Sequence, residues 1–212
     1  MVDRMAKARE QLLAMLAEKS FRLGEFKLSS GVTSDYYIDC RLTTLDAIGA
    51  LLTGQAVLDE IRARGWQADA IGGLTLGADP IVVATSVVSA QQGSPVHGFL
   101  VRKAEKAHGM AQRIEGFRQK PARVVIVDDV CTTGASTIQA IEAAREFGFE
   151  IAGVLCLVER EEAGGRANVE KAAAPAEFAA LLTANDVRAQ HVKRRETAAR
   201  SIDPELTEGD NP

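Results

Sequence analysis

The chain has 212 residues, 46% hydrophobic and 25% charged, which suits one packed α/β domain that needs no disulfides. A net charge of -4 and a pI near 5.5 exclude the basic surface that sequence-independent nucleic-acid binding requires. There is no apolar run of about 18 residues and no signal-peptide core, and Cys40, Cys131 and Cys156 lack metal-ligand spacing, so no membrane is involved and a reducing, cytoplasmic setting is expected.

In chain order, residues 3–18 place Met5, Leu12, Leu13 and Leu16 near the helical period and predict an amphipathic helix. Residues 21–28 alternate weakly like a strand, Ser29-Ser30-Gly31 reads as a turn, and Tyr36-Tyr37-Ile38 as a second strand. This opening unit, residues 1–45, is expected to form a small cap or hood. Asp46 can cap a helix that runs to about Arg64 and ends at Gly65. Residues 68–71 predict a buried strand that breaks at Gly72-Gly73. A helix is expected over 79–90, with Pro80 in its first turn, followed by a strand over 96–101. Another strand ends in Asp128-Asp129, a helix runs from the turn after it to about Phe147, and residues 151–158 form a further apolar strand. Residues 164–175 are alanine-rich and show no clear periodicity. The core is expected to span 46–192, with 193–212 a polar, partly disordered tail. Strands alternating with helices at this spacing predict an α/β fold with a mainly parallel sheet covered on both faces.

The segment Val124-Val125-Ile126-Val127-Asp128-Asp129-Val130-Cys131-Thr132-Thr133-Gly134-Ala135-Ser136-Thr137 carries the most chemical information. Its apolar run lacks polar alternation and so reads as a strand buried on both faces. Such a strand delivers both carboxylates to the carboxyl edge of the sheet, where open α/β folds bind ligands. The hydroxyl-rich turn then opens a helix whose free N–H groups suit a phosphate. No lysine follows the glycine, which excludes a nucleoside-triphosphate loop. The aspartates would repel a phosphate, so they face sugar hydroxyls, a hydrated metal or a carbon becoming cationic. On these residues alone, the paired-aspartate strand end of another α/β protein, such as a phospho-acceptor domain, stays open.

Arg102, Lys103, Lys106 and His108 follow the strand over 96–101 within seven residues. They read either as a solvated charge run or as a mobile cationic loop.

The strand, the paired aspartates and the Thr-Thr-Gly-x-Ser turn resemble the donor-binding motif of the type I phosphoribosyltransferases. The spelling Arg102-Lys103-Ala104-Glu105-Lys106-Ala107-His108-Gly109 resembles the catalytic loop of the orotate branch. Residues 26–39 and Leu157-Val158-Glu159-Arg160-Glu161-Glu162 are similar to two further segments of that branch. The resemblance implies the type I fold and transfer of a phosphoribosyl group from 5-phosphoribosyl 1-diphosphate to orotate, in pyrimidine biosynthesis. Transfer to another nucleobase, or a non-catalytic donor-binding regulator, is the alternative. It implies that Lys106, Asp128 and Asp129 are catalytic. Donor binding would fall to Arg102, Lys103, Lys106, His108, Asp128, Asp129, Val130, Cys131, Thr132, Thr133, Gly134, Ala135 and Ser136. Orotate would meet Thr132 and Arg160. Magnesium would arrive on the diphosphate, held through it and through water rather than by direct protein ligands. The resemblance also implies a homodimer in which loop 102–116 acts partly in the neighbouring site. Some members carry lysines where this chain has Ser29 and the Leu76 region, and Asp79 beside that loop is expected to favour a magnesium–diphosphate complex.

Overall fold

The computed structural model describes residues 2–27, 33–103 and 113–202. Helix α1 (Val2–Met15) continues into a wider π-helical turn, Leu16–Ser20. Strands β1 (Phe21–Lys27) and β2 (Thr33–Ile38) then pair antiparallel. After the short α2 (Arg41–Thr44) comes α3 (Ala47–Ala63), whose cap is Asp46: its carboxylate accepts from Ile48 N and Gly49 N, both at 3.0 Å. The chain continues through β3 (Ala70–Leu74), α4 (Asp79–Gln91), β4 (His97–Val101) and β5 (Ile114–Gly116). Then come β6 (Arg123–Cys131), α5 (Ala135–Phe147), β7 (Glu150–Glu159), α6 (Gly165–Ala173), β8 (Phe178–Thr183) and α7 (Ala184–Ile202).

The main sheet has the order β5-β4-β3-β6-β7-β8. It is parallel throughout, apart from β5, which runs antiparallel on the β4 edge. Strand β6 shows why an apolar run without alternation is a central strand. Val125 and Val127 enter one core with Leu12, Leu16, Phe21, Ile71 and Ile81, whereas Val124 and Ile126 enter the other with Phe99, Ile141 and Phe149. Each such fully buried side chain contributes about 1.5–3 kcal/mol. The cap therefore shares a core with one face of the sheet.

Two expectations need correction, and a third is met by described residues only in part. The strand expected to break at Gly72-Gly73 runs through both. A Cβ on Gly72 would lie 2.5 Å from the Phe99 ring, and one on Gly73 would lie 2.1 Å from the Val127 carbonyl oxygen. The glycines are there for close packing, not for a turn. The alanine-rich stretch holds a helix, α6, followed by a strand, β8. The first part of the polar tail expected from Lys193 is helical through Ile202, because α7 is anchored below it: Val187 is buried, His191 Nδ1 bonds the Ala17 carbonyl oxygen at 2.7 Å, and Arg194 pairs with Glu18 at 2.6 Å; residues 203–212 of that tail lie outside the described residues. The turn expected at Ser29-Ser30-Gly31 lies outside the described residues.

Candidate active site

From β3 the chain steps out to β4 and then returns to β6 on the other side of β3. Parallel sheets open a crevice at the carboxyl ends of such a reversal. A cleft of about 350 Å³ lies there, lined by the loop from Leu74 to Gly77 after β3 and by Asp128, Asp129 and Val130 of β6. A wider cleft of about 730 Å³ continues toward the cap, past Ser34, Tyr36, Glu162, Asn185 and Arg188. Thr132 and Arg160 belong to both walls, so the two clefts form one site.

The aspartates are held by short local bonds. Thr137 Oγ1 donates to Asp128 Oδ2 at 2.7 Å, Asp129 N donates to Asp128 Oδ1 at 3.0 Å, and Val130 N donates to Asp129 Oδ1 at 2.8 Å. Burial, then the Asp129 charge, pushes the Asp128 carboxyl up to about 7. Burial also raises Asp129, while the Val130 N–H and Arg41 pull it back. The next turn has Gly134 at φ +81° as the N-cap of α5, a conformation that suits glycine. Gly134 offers no side chain to the first N–H groups of the helix, leaving them to a ligand. The turn is braced from behind by α6, where Asn168 Nδ2 donates to the Thr133 carbonyl oxygen at 3.1 Å.

Arg160, only 7% exposed, is bound on the wide-cleft side. Its Nε donates to Tyr36 Oη at 3.0 Å and Glu162 Oε1 at 3.2 Å, and its Nη2 donates to Ser34 Oγ at 2.9 Å. The guanidinium also lies over the Tyr36 ring. Burial and a hydrogen bond to Glu162 push the Tyr36 phenol up to about 12, so it stays neutral and donates. Arg160 is thus held rigidly in the wall shared by the two clefts, with Glu162 as its ion-pair partner.

No family model matches the chain. An orotate phosphoribosyltransferase from Aquifex aeolicus is 44% identical over 170 residues, covering 79% of this chain and 91% of the relative. One from Corynebacterium glutamicum strain ATCC 13032 is 46% identical over 155 residues, covering 73% and 82%. The chain belongs to the orotate phosphoribosyltransferase family. Among solved structures, the Mycobacterium tuberculosis orotate phosphoribosyltransferase in complex with Fe(III) dicitrate has a TM-score of 0.73 at 35% identity, covering 85% of this chain and 98% of that one. The same enzyme in complex with 5-phospho-α-D-ribosyl 1-diphosphate has a TM-score of 0.67 at 28% identity, covering 85% and 92%. An adenine phosphoribosyltransferase, at 15% identity and TM-score 0.55, shares the fold alone.

The segments that resemble the orotate phosphoribosyltransferases meet at this rim. Asp128, Asp129, Val130, Thr132 and Ser136 line the narrow cleft with Lys103, and Thr133 lines the wide one. Cys131 is buried in the core that holds Cys156 and Val169, so its thiol is a packing group. Arg102 lines neither cleft; its side chain pairs with Glu115 at 3.5 Å. Lys106 and His108 lie outside the described residues. Asp79 is absent from the walls of both clefts. It opens α4 and lies instead on the apolar groove between α3 and α4, with Oδ1 buried and unpartnered among the described residues.

The sequence reading assigned no role to Ser34, Tyr36, Glu162, Thr137, Arg41, Asn185 or Arg188. Thr137 had a signal, since it sits in the first turn of the helix that the motif opens. Arg188 had none: its contact at 2.6 Å is Asp35, 153 residues away.

Proposed function

We propose that this protein transfers the phosphoribosyl group of 5-phosphoribosyl 1-diphosphate to orotate, yielding orotidine 5′-monophosphate and diphosphate, a step of pyrimidine biosynthesis. The observation that carries the reading is the joining of two clefts at Thr132 and Arg160. One has paired carboxylates beside an uncapped helix start, and the other a buried guanidinium. The 5-phosphate sits on the turn from Thr132 to Ser136, and the ribose hydroxyls donate to Asp128 and Asp129. The carboxylate of orotate meets Arg160. In the reaction the ribose C1–O bond breaks, its electron pair leaves with diphosphate, and orotate N1, having given its proton to solvent, bonds to C1. Positive charge that builds on the ring faces the two carboxylates. Lys106, with Arg102, Lys103 and His108, meets the departing anion as the loop closes and excludes water.

Among the described residues, no group of three His, Cys, Asp or Glu side chains is placed to hold a metal. Two carboxylates on a cleft wall suit a magnesium ion that keeps its waters and rides on phosphate oxygens. Asp128 and Asp129 are the residues that would meet those waters, and the ion would neutralise diphosphate charge.

We also assign a homodimer and a cytoplasmic location. Leu42, Leu45, Ile48, Leu51, Val83 and Val87 expose apolar surface along α2, α3 and α4, Leu45 at 71%. A groove of about 760 Å³ runs through this face. Exposed apolar surface of this continuity marks an interface. No helix of the described residues is long and apolar enough to cross a membrane.

The test is to incubate the protein with donor, magnesium and a panel of orotate, uracil, adenine and hypoxanthine. Orotate should be consumed first. Preferential use of another base, or donor binding without diphosphate release, would overturn the proposal.

A further inference from the structure

The narrow cleft is short of fixed positive charge. Its wall carries Asp128 and Asp129, and a diphosphate that enters must be held against both. Among the described residues, three cations line it: Arg41, Lys103 and Arg160. Arg160 is engaged by Ser34, Tyr36 and Glu162 on the base side. Lys103 is exposed and is the last described residue before position 113. Arg41 differs from both. It opens α2, and its guanidinium is clamped before any ligand arrives: Nε donates to Asp39 Oδ1 at 2.8 Å and Nη2 to Asp39 Oδ2 at 2.9 Å. Asp39 is itself fixed, accepting from Arg41 N at 3.0 Å. Nη1 makes no hydrogen bond among the described residues, and the side chain is 46% exposed. A planar donor with one edge locked and another open suits bidentate recognition of phosphate oxygens, with little ordering entropy left to lose.

We infer that Arg41 is a donor-binding residue whose free edge hydrogen-bonds the diphosphate of the substrate and of the product. This rests on the functional reading above and adds a residue to it. Asp39 cancels most of the net charge of Arg41, so the contribution is directional hydrogen bonding rather than long-range attraction. Arg41 approaches the cleft from the cap side, already fixed by Asp39. Its position next to Asp129 gives it a second possible effect, through the carboxylate rather than the ligand, and the test separates the two.

Affinities of wild type, Arg41→Gln and Arg41→Lys should be measured by calorimetry for magnesium diphosphate, 5-phosphoribosyl 1-diphosphate and ribose 5-phosphate, with orotate turnover in parallel. Arg41→Gln is expected to weaken the two diphosphate ligands about tenfold, the loss of one charge-assisted hydrogen bond, and to leave ribose 5-phosphate within about twofold. Arg41→Lys should fall between, with an unchanged melting temperature. Diphosphate affinities within about twofold of wild type would overturn the assignment, as would an equal loss for ribose 5-phosphate, which would place the effect in Asp129 or the cleft wall. A wild type that binds no donor and consumes no orotate would overturn the functional reading, and this assignment with it.

Discussion

Asp128 is held in a place that favours its neutral form, so replacing it by asparagine should stabilise the fold while it damages the reaction. The carboxyl rises from 3.8 to about 7, chiefly by burial and then by the Asp129 charge. At about 1.4 kcal/mol per tenfold, keeping it ionised in the folded state costs roughly 4 kcal/mol. The folded-state value lies above the unfolded one, so the folded protein binds the extra proton. The cost is therefore absent below about pH 4, grows as pH rises, and is complete above about pH 7. Asparagine fits the site: its carbonyl oxygen can accept from Asp129 N, and its amide can donate to Thr137 Oγ1, which now donates to Asp128. Allowing for imperfect geometry, Asp128→Asn should gain about 2–4 kcal/mol at pH 8 and little at pH 4.5. Urea unfolding of both proteins at the two pH values, at one protein concentration, measures this difference. Orotate turnover should meanwhile fall about 10- to 100-fold, as an electrostatic contact to the ribose is lost. A variant less stable than wild type at pH 8, or one whose advantage is the same at both pH values, would refute the reasoning.

Arg160→Met should lower kcat/KM for orotate about 100-fold, some 3 kcal/mol for a lost charge-assisted contact. Donor affinity measured by calorimetry should stay near wild type. Lys106→Ala should lower turnover about 100-fold or more without changing the melting temperature, and a near-normal rate would remove the loop from the chemistry. Leu45→Glu places a charge on the exposed apolar face. Sedimentation velocity should show a shift toward monomer at micromolar concentration, with reduced activity if the neighbouring loop completes the site.

The parts legible in the sequence are those whose cause is local. Strand β6 was readable because Val124 to Val127 must be apolar on both sides of a central strand. The turn was readable because the hydroxyls of Thr132, Thr133 and Ser136 surround Gly134, whose φ of +81° makes the bend. The Asp46 cap followed from its own next residues. What failed depended on distant neighbours. Gly72 and Gly73 looked like a break until Phe99 and the Val127 carbonyl stood against them. Strand β8 and helix α6 were hidden by alanine, which marks neither period strongly. The last half of α7 was hidden because its anchors, Ala17 and Glu18, lie at the other end of the chain. Arg160 stood out by its spelling, and the structure sets it in the wall shared by the two clefts. Its setting could not be read, since Ser34 and Tyr36 lie 126 and 124 residues away. Arg41 needed the fold as well: its clamp to Asp39 is local, but its place on the wall with Asp129 is not.

The central claim is that one continuous site couples breakage of the donor's C1–O bond to capture of a base held by Arg160. The most direct measurement is the stoichiometry of orotate loss against diphosphate release in a single reaction with donor and magnesium, run with wild type and Arg160→Met. The account predicts equimolar orotate loss and diphosphate release in wild type, with orotidine 5′-monophosphate as product, and sharply reduced consumption of orotate in the variant. Diphosphate released without loss of orotate, or undiminished use of orotate by Arg160→Met, would contradict it.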